Sequence, residues 1–144
     1  MASLDDRTCI DLFTDGIREK YHLSDQNTFL RKALFDYHRK KHIPPITKSN
    51  FTDEIGLNDC FFTRVRCEHR RISASTSIHI AATICPTRAT CLDFISVCGH
   101  IPGINLEEEY VDAITYAYSF NAISGKTRVK LINEQLANSS LGNI

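Results

Sequence analysis

Net charge is missing from this chain: 17 Lys and Arg residues balance 17 Asp and Glu residues, so no bulk field draws it to nucleic acid or to an anionic membrane. Any such contact has to come from a local patch. Long apolar runs are missing too, none approaching the roughly 20 residues that span a bilayer. The start, MASLDDRTCI, has no apolar stretch behind a basic end. These absences predict a soluble, unsecreted protein. Its six cysteines are therefore expected in a reducing compartment as thiols or metal ligands, and the sequons at Asn50 and Asn138 as chance matches. No repeat, low-complexity tract or Gly/Ser linker divides the 144 residues, a length that suits one domain. The expected unit is 1–144, with 1–23 and 133–144 as flexible ends.

Chemical motifs are equally scarce. GKT at Gly125–Thr127 lacks the preceding glycine of a phosphate-binding loop. Cys-x-x-Cys does not occur, and no cysteine lies near the one His-x-x-x-His, His38 to His42, so the spacing disfavours zinc although ligand types are plentiful. Cys98 with His100, and Cys67 with His69, are the pairs that come nearest to a metal site. No helix-start cysteine, Gly-rich oxyanion turn or positioned acid marks a nucleophile. The expectation is a protein without catalytic residues, metal or cofactor.

What the chain does have is periodicity. SDQNTFLRKALFDYHRKKH spaces Phe29, Leu30, Ala33, Leu34 and Tyr37 as a helix over Asp25–His42, with Ser24 or Asp25 as cap, before the prolines of HIPPITKSN break it. Arg18 to Lys48 holds eight Lys and Arg against three acids, and RKKH at Arg39–His42 reads as a solvated helix end rather than an import signal. CFFTRVRCEHRR, from Cys60, alternates with period two: Phe61, Thr63, Val65 and Cys67 on one side, Cys60, Phe62, Arg64 and Arg66 on the other. A second alternation puts Ile78, Ile80, Ala82 and Ile84 opposite Ser77, His79, Ala81 and Thr83, which predicts a hairpin with Val65 beside Ile80 and Cys60 beside Cys85. TRATCLDFISVCG predicts a helix stopped at Gly99. NLEEEYVDAITYAYSFNAISG predicts another, with Asn105 as cap and Glu108 completing a capping box. KTRVKLI alternates and predicts a third strand. The fold expected is α+β: a small antiparallel sheet, hairpin plus C-terminal strand, packed against two helices, with an additional N-terminal helix. Its core would be Val65, Ile80, Ile84, Leu92, Ile95, Ile114 and Leu131.

That order of elements, carried by Ile55, Gly56, Leu57, Cys60, Phe61, Phe62, Thr63 and Arg66, then Leu92, Asp93, Gly99, Ile101, Asp112, Ala113, Ile114, Val129 and Leu131, resembles the replication enhancer (REn) proteins of plant geminiviruses over residues 50–133. The resemblance implies a viral, non-enzymatic factor of the host nucleus that raises viral DNA accumulation. It also implies self-association as a homo-oligomer, with contacts to the viral replication initiator Rep, the host sliding clamp PCNA and the retinoblastoma-related protein. The chain departs from that family in having no Trp. It also lacks Leu-x-Cys-x-Glu and a Gln-led clamp-binding box, so those contacts would need a folded surface. On the strand reading, Phe62 with Arg64 and Arg66 forms an outer face for a partner, unless Phe62 packs beneath the N-terminal helix. A rival reading is a small zinc-stabilised nucleic-acid-binding viral protein, such as a silencing suppressor, using Arg64, Arg66, Arg70 and Arg71.

Overall fold

Three helices of this protein start with the same four-residue device, a hydroxyl three places before a threonine. Ser73 Oγ accepts from the Thr76 amide at 3.2 Å, Thr87 Oγ1 from the Thr90 amide at 3.2 Å, and Ser124 Oγ from the Thr127 amide at 3.2 Å. Each satisfies an amide that the first turn of a helix leaves without a partner. In the computed structural model, which describes residues 12, 14–17, 19, 20, 26–66 and 72–144, these caps open three of seven helices whose bounds are defined. In chain order these are α1 (Gln26–Lys41), α2 (Phe51–Ile55), α3 (Cys60–Arg66), α4 (Ala74–Ile84), α5 (Arg88–Val97), α6 (Glu108–Tyr118) and α7 (Gly125–Leu136). Helical residues also occur between 12 and 20. There Thr14 and Ile17 are buried, and Thr14 Oγ1 donates to Ser96 O at 3.2 Å.

The expected α+β fold is therefore corrected to an all-helical one. Among the described residues there is no strand, and the sole β-type contact is an isolated bridge between Pro102 and Leu106. The hairpin expected from the two alternations is α3 and α4, the third strand is α7, and neither Val65 with Ile80 nor Cys60 with Cys85 forms a ladder pair. Helix α3 begins where Asn58 Oδ1 accepts from the Cys60 amide at 3.0 Å, an Asx-type start that turns the chain before the two phenylalanines.

Helix α4 runs through the middle. Ser77 and Ile78 are buried, and so is every residue from Ile80 to Ile84, which leaves only a half-buried polar edge at Ser75, Thr76 and His79 in its first half. Helices α1, α2, α5 and α7 pack around it, and α6 lies against α7. The Ser77 and Thr83 hydroxyls are satisfied locally, donating to Ala74 O at 2.9 Å and His79 O at 2.8 Å. Gly125 allows a close approach of two helix backbones. A Cβ built there would lie 2.0 Å from Thr83 O, so the first turn of α7 rests directly on the backbone of α4.

Of the expected core, Ile80, Ile84, Ile95 and Ile114 are buried, Leu92 and Leu131 are half-buried, and the Val65 side chain lies outside the described residues. Helix α7 instead buries Val129, Ile132 and Leu136, so the chain is helical past Asn133, where the flexible end was expected to begin. Asn105 is not a cap. Helix α6 starts after Glu107, and the Asn105 amide closes the preceding loop, accepting from Ile101 N at 2.6 Å and donating to Gly99 O at 2.7 Å. Gly99 sits at φ +97° just past α5, the left-handed position where a glycine ends a helix. The cap positions Ser24 and Asp25 lie outside the described residues. No helix among the described residues is long and apolar enough to cross a membrane.

A candidate docking cleft

The partner face expected at Phe62, Arg64 and Arg66 does not form as one surface. Phe62 is buried, its ring 5.5 Å from that of Phe51, and α3 packs on α1. The side chain thus lies under the N-terminal helix, the other of the two placements considered for it. Arg64 is exposed, its guanidinium 5.8 Å over the Phe61 ring. The Arg66 side chain, like Cys67, His69, Arg70 and Arg71, lies outside the described residues.

Among the described residues, no group of three or more His, Cys, Asp or Glu could hold a metal ion. Cys98 is buried. His100 Nε2 is committed elsewhere, 2.8 Å from Ile72 O, and a carbonyl can only accept, so that nitrogen carries a proton and offers no lone pair to a metal. His79 is held the same way, with Nε2 2.9 Å from Ile55 O.

The feature that does assemble is a cleft of 640 Å³ between α1, the α4–α5 turn and the α6–α7 connection. Its apolar lining comes from Phe29, Ala33, Tyr37, Ile84, Pro86 and Ile123. Five cations stand around it, Lys32, Arg39, Lys40, Lys41 and Arg128, against one carboxylate, Asp36. That carboxylate is 3.4 Å from Lys32 Nζ on the exposed surface, where such a pair contributes little. The RKKH segment supplies three of the cations, placed in the last turn of α1 where a helix dipole favours positive charge. Lys41 Nζ donates to Tyr37 Oη at 3.1 Å, and Arg39 lies 5.5 Å over the Phe35 ring.

Arg128 is built into the wall. Its Nε donates to Ala82 O at 2.7 Å and its Nη1 to Ile123 O at 3.3 Å, while its guanidinium sits 4.9 Å over the Tyr118 ring. The Tyr118 hydroxyl donates to Cys85 O at 2.7 Å. Together these groups cap the last carbonyls of α4, which would otherwise lie at a helix end without partners.

Beneath the cleft, burial pushes the Cys91 thiol up to about 12, with the Tyr118 hydrogen bond and Arg128 opposing. Burial also raises Cys85 well above its ordinary value, with the Cys91 thiol adding to the shift. Burial raises Tyr118 as well, again with the nearby thiols adding to it. Both cysteines are therefore neutral thiols at pH 7, not nucleophiles. The unfolded chain releases the Cys91 proton near its ordinary 9.0, while the folded chain holds it to about 12. Stability is accordingly retained below pH 9 and lost as the pH rises from there towards 12. Thermal melts followed by circular dichroism should show the midpoint falling steadily across that window, and a flat midpoint would show that these thiols are hydrated.

None of the cleft was read from the sequence as a site. Its parts are up to a hundred residues apart, and the visible signals were the basic excess of Arg18–Lys48 and the prolines that end α1. Comparison with family models, with curated proteins and with solved structures gives no match.

Proposed function

We propose that this chain is a non-enzymatic recruitment module whose cleft docks an acidic, apolar-anchored segment of a partner protein. The observation that carries the reading is an apolar cleft of 640 Å³ lined by four cations of α1 on one wall and by Arg128 of α7 on another, a size within the range of ligand clefts and a charge pattern that selects carboxylates. No histidine lines the cleft among the described residues, and the cysteine that does is a raised, buried thiol, so a nucleophile–base pair has no support there. Protein–protein contact is also what the resemblance to the replication enhancer proteins implies. Part of that resemblance lay in strands that are helices here. The proposal therefore rests on the cleft and takes Rep, PCNA, the retinoblastoma-related protein and a second copy of the chain as the first partners to assay.

The test is selection of randomised displayed peptides on the full-length protein, followed by affinity measurements of the selected peptides by fluorescence anisotropy. Acidic sequences should be enriched, and Lys40→Glu or Arg39→Glu should weaken them at least about tenfold, more than the ~1 kcal/mol that most interface residues fail to reach, with unchanged melting. Peptides without acidic bias, or with equal affinity for both charge-reversed proteins, would overturn the reading. Tighter binding of an RNA oligomer, falling steeply with salt and lost in the same variants, would transfer the surface to nucleic acid.

A further inference from the structure

One side chain belongs to two grooves. Phe35, 52% exposed, lines the 640 Å³ cleft and also a 260 Å³ groove whose walls include Leu34, His38, Pro45, Ile46 and Phe62. Helix α1 is the ridge between them: Ala33 and Tyr37 turn to the cleft, Leu30, Leu34 and His38 to the smaller groove. Phe35 stands on the crest, held by the His38 ring at 5.3 Å and by Arg39 at 5.5 Å.

We infer that the acidic partner segment crosses α1 over Phe35 in an extended conformation and places one apolar side chain in each groove. This rests on the docking reading above and adds the form of the ligand. Phe35 is the one lining residue that the two grooves share, and its ring is the apolar link between them. The cations flank the crossing, with Arg31 and Lys32 one turn before Phe35 and Arg39 one turn after it, all exposed, while the one carboxylate beside the crest, Asp36, is paired with Lys32 at 3.4 Å. A segment lying across the helix therefore passes between positive groups on both sides. The spacing follows from chain geometry. A helix with its side chains is about 10–12 Å across. An extended chain rises about 3.3 Å per residue and returns to the same face every second residue. Anchors four residues apart lie on one face about 13 Å apart and reach both sides of the ridge, whereas anchors two apart fall short. The residue midway meets the Phe35 ring. A proline suits that place, since it keeps the chain extended and needs no donor there.

The test uses the full-length protein with methyl-labelled isoleucine and leucine, and a synthetic peptide with leucines four residues apart, proline midway and aspartate elsewhere. Methyl signals of Ile84 and Ile123 report on the cleft, and those of Leu34 and Ile46 on the smaller groove. The two-anchor peptide should shift both sets and bind at least about tenfold tighter than versions with either leucine replaced by alanine. Shifts confined to the cleft, with affinity unchanged by loss of one leucine, would overturn the bipartite inference and leave the docking reading standing. Shifts in neither set would overturn both. A peptide that binds only when proline is replaced by alanine would show a helical occupant and overturn the extended one.

Discussion

Replacing Gly125 by alanine should destabilise this protein more than almost any other loss or gain of one methyl group. The added Cβ would sit 2.0 Å from the carbonyl oxygen and 2.7 Å from the Cα of Thr83. Those are backbone atoms of the central helix and cannot rotate aside. Either α7 lifts off α4 or α4 bends, and overpacking of this kind costs about 1–3 kcal/mol, occasionally more. The helix-propensity gain from glycine to alanine, about 1 kcal/mol, works in the opposite direction and is reduced near a helix start, where Gly125 stands. Gly103, at φ +82° with nothing near its absent side chain, is the control for which only backbone strain applies. Urea denaturation of Gly125→Ala beside Gly103→Ala measures the difference. A Gly125→Ala protein at least as stable as the parent would show that α7 does not rest on α4 as described.

Ala81→Asp should unfold the chain. If residues 77–84 alternated as a strand, Ala81 would point outward with Ser77, His79 and Thr83, and a carboxylate there would be harmless. In α4, Ala81 is 0% exposed and lies amid the other helices. A carboxylate at that position would be buried in a site shaped for a methyl group, a placement costing several kcal/mol against a usual total of about 5–15. Loss of the cooperative melt is the expected result. A folded Ala81→Asp protein would restore the alternating reading of this segment. Asp at Lys130, exposed on α7, is the matched substitution that should leave the melt nearly unchanged.

That contrast shows where the sequence was readable. Helix α1 was legible because its buried residues, Phe29, Leu30, Leu34 and Tyr37, recur at helical spacing while its other face carries charge, and because two prolines close it. Helix α5 was legible from Gly99. Helix α4 had no such contrast: a helix buried on nearly every side has no exposed charged stripe to reveal its period, and its isoleucines and threonines are residues that also favour strands. Its start was nonetheless written in Ser73 and Thr76. The same hydroxyl pattern at Ser124 and Thr127, with Val129, Ile132 and Leu136 at helical spacing, contradicted the strand expected at residues 126–132. In α3, adjacent Phe61 and Phe62 broke the alternation that the flanking residues suggested. The cleft was less legible for a different reason. Its basic rim was visible as a local charge excess, but the pairing of α1 with Ile84, Pro86, Ile123 and Arg128 is tertiary and has no local signature.

The placement of α4 bears on how the chain is made. During synthesis its apolar surface leaves the ribosome before either α5 or α7, two of the helices that later sheathe it, and the α7 wall begins at Gly125, some forty residues downstream. Until then the central helix has only part of its shelter, the condition under which nascent chains are held by chaperones or stick to one another. Arg128 and Tyr118, which take up the last carbonyls of α4, also arrive late. Nascent chains stalled before Gly125 would thus carry the most apolar helix uncovered on its α7 side, and quality control would meet them as misfolded protein rather than as a smaller working domain.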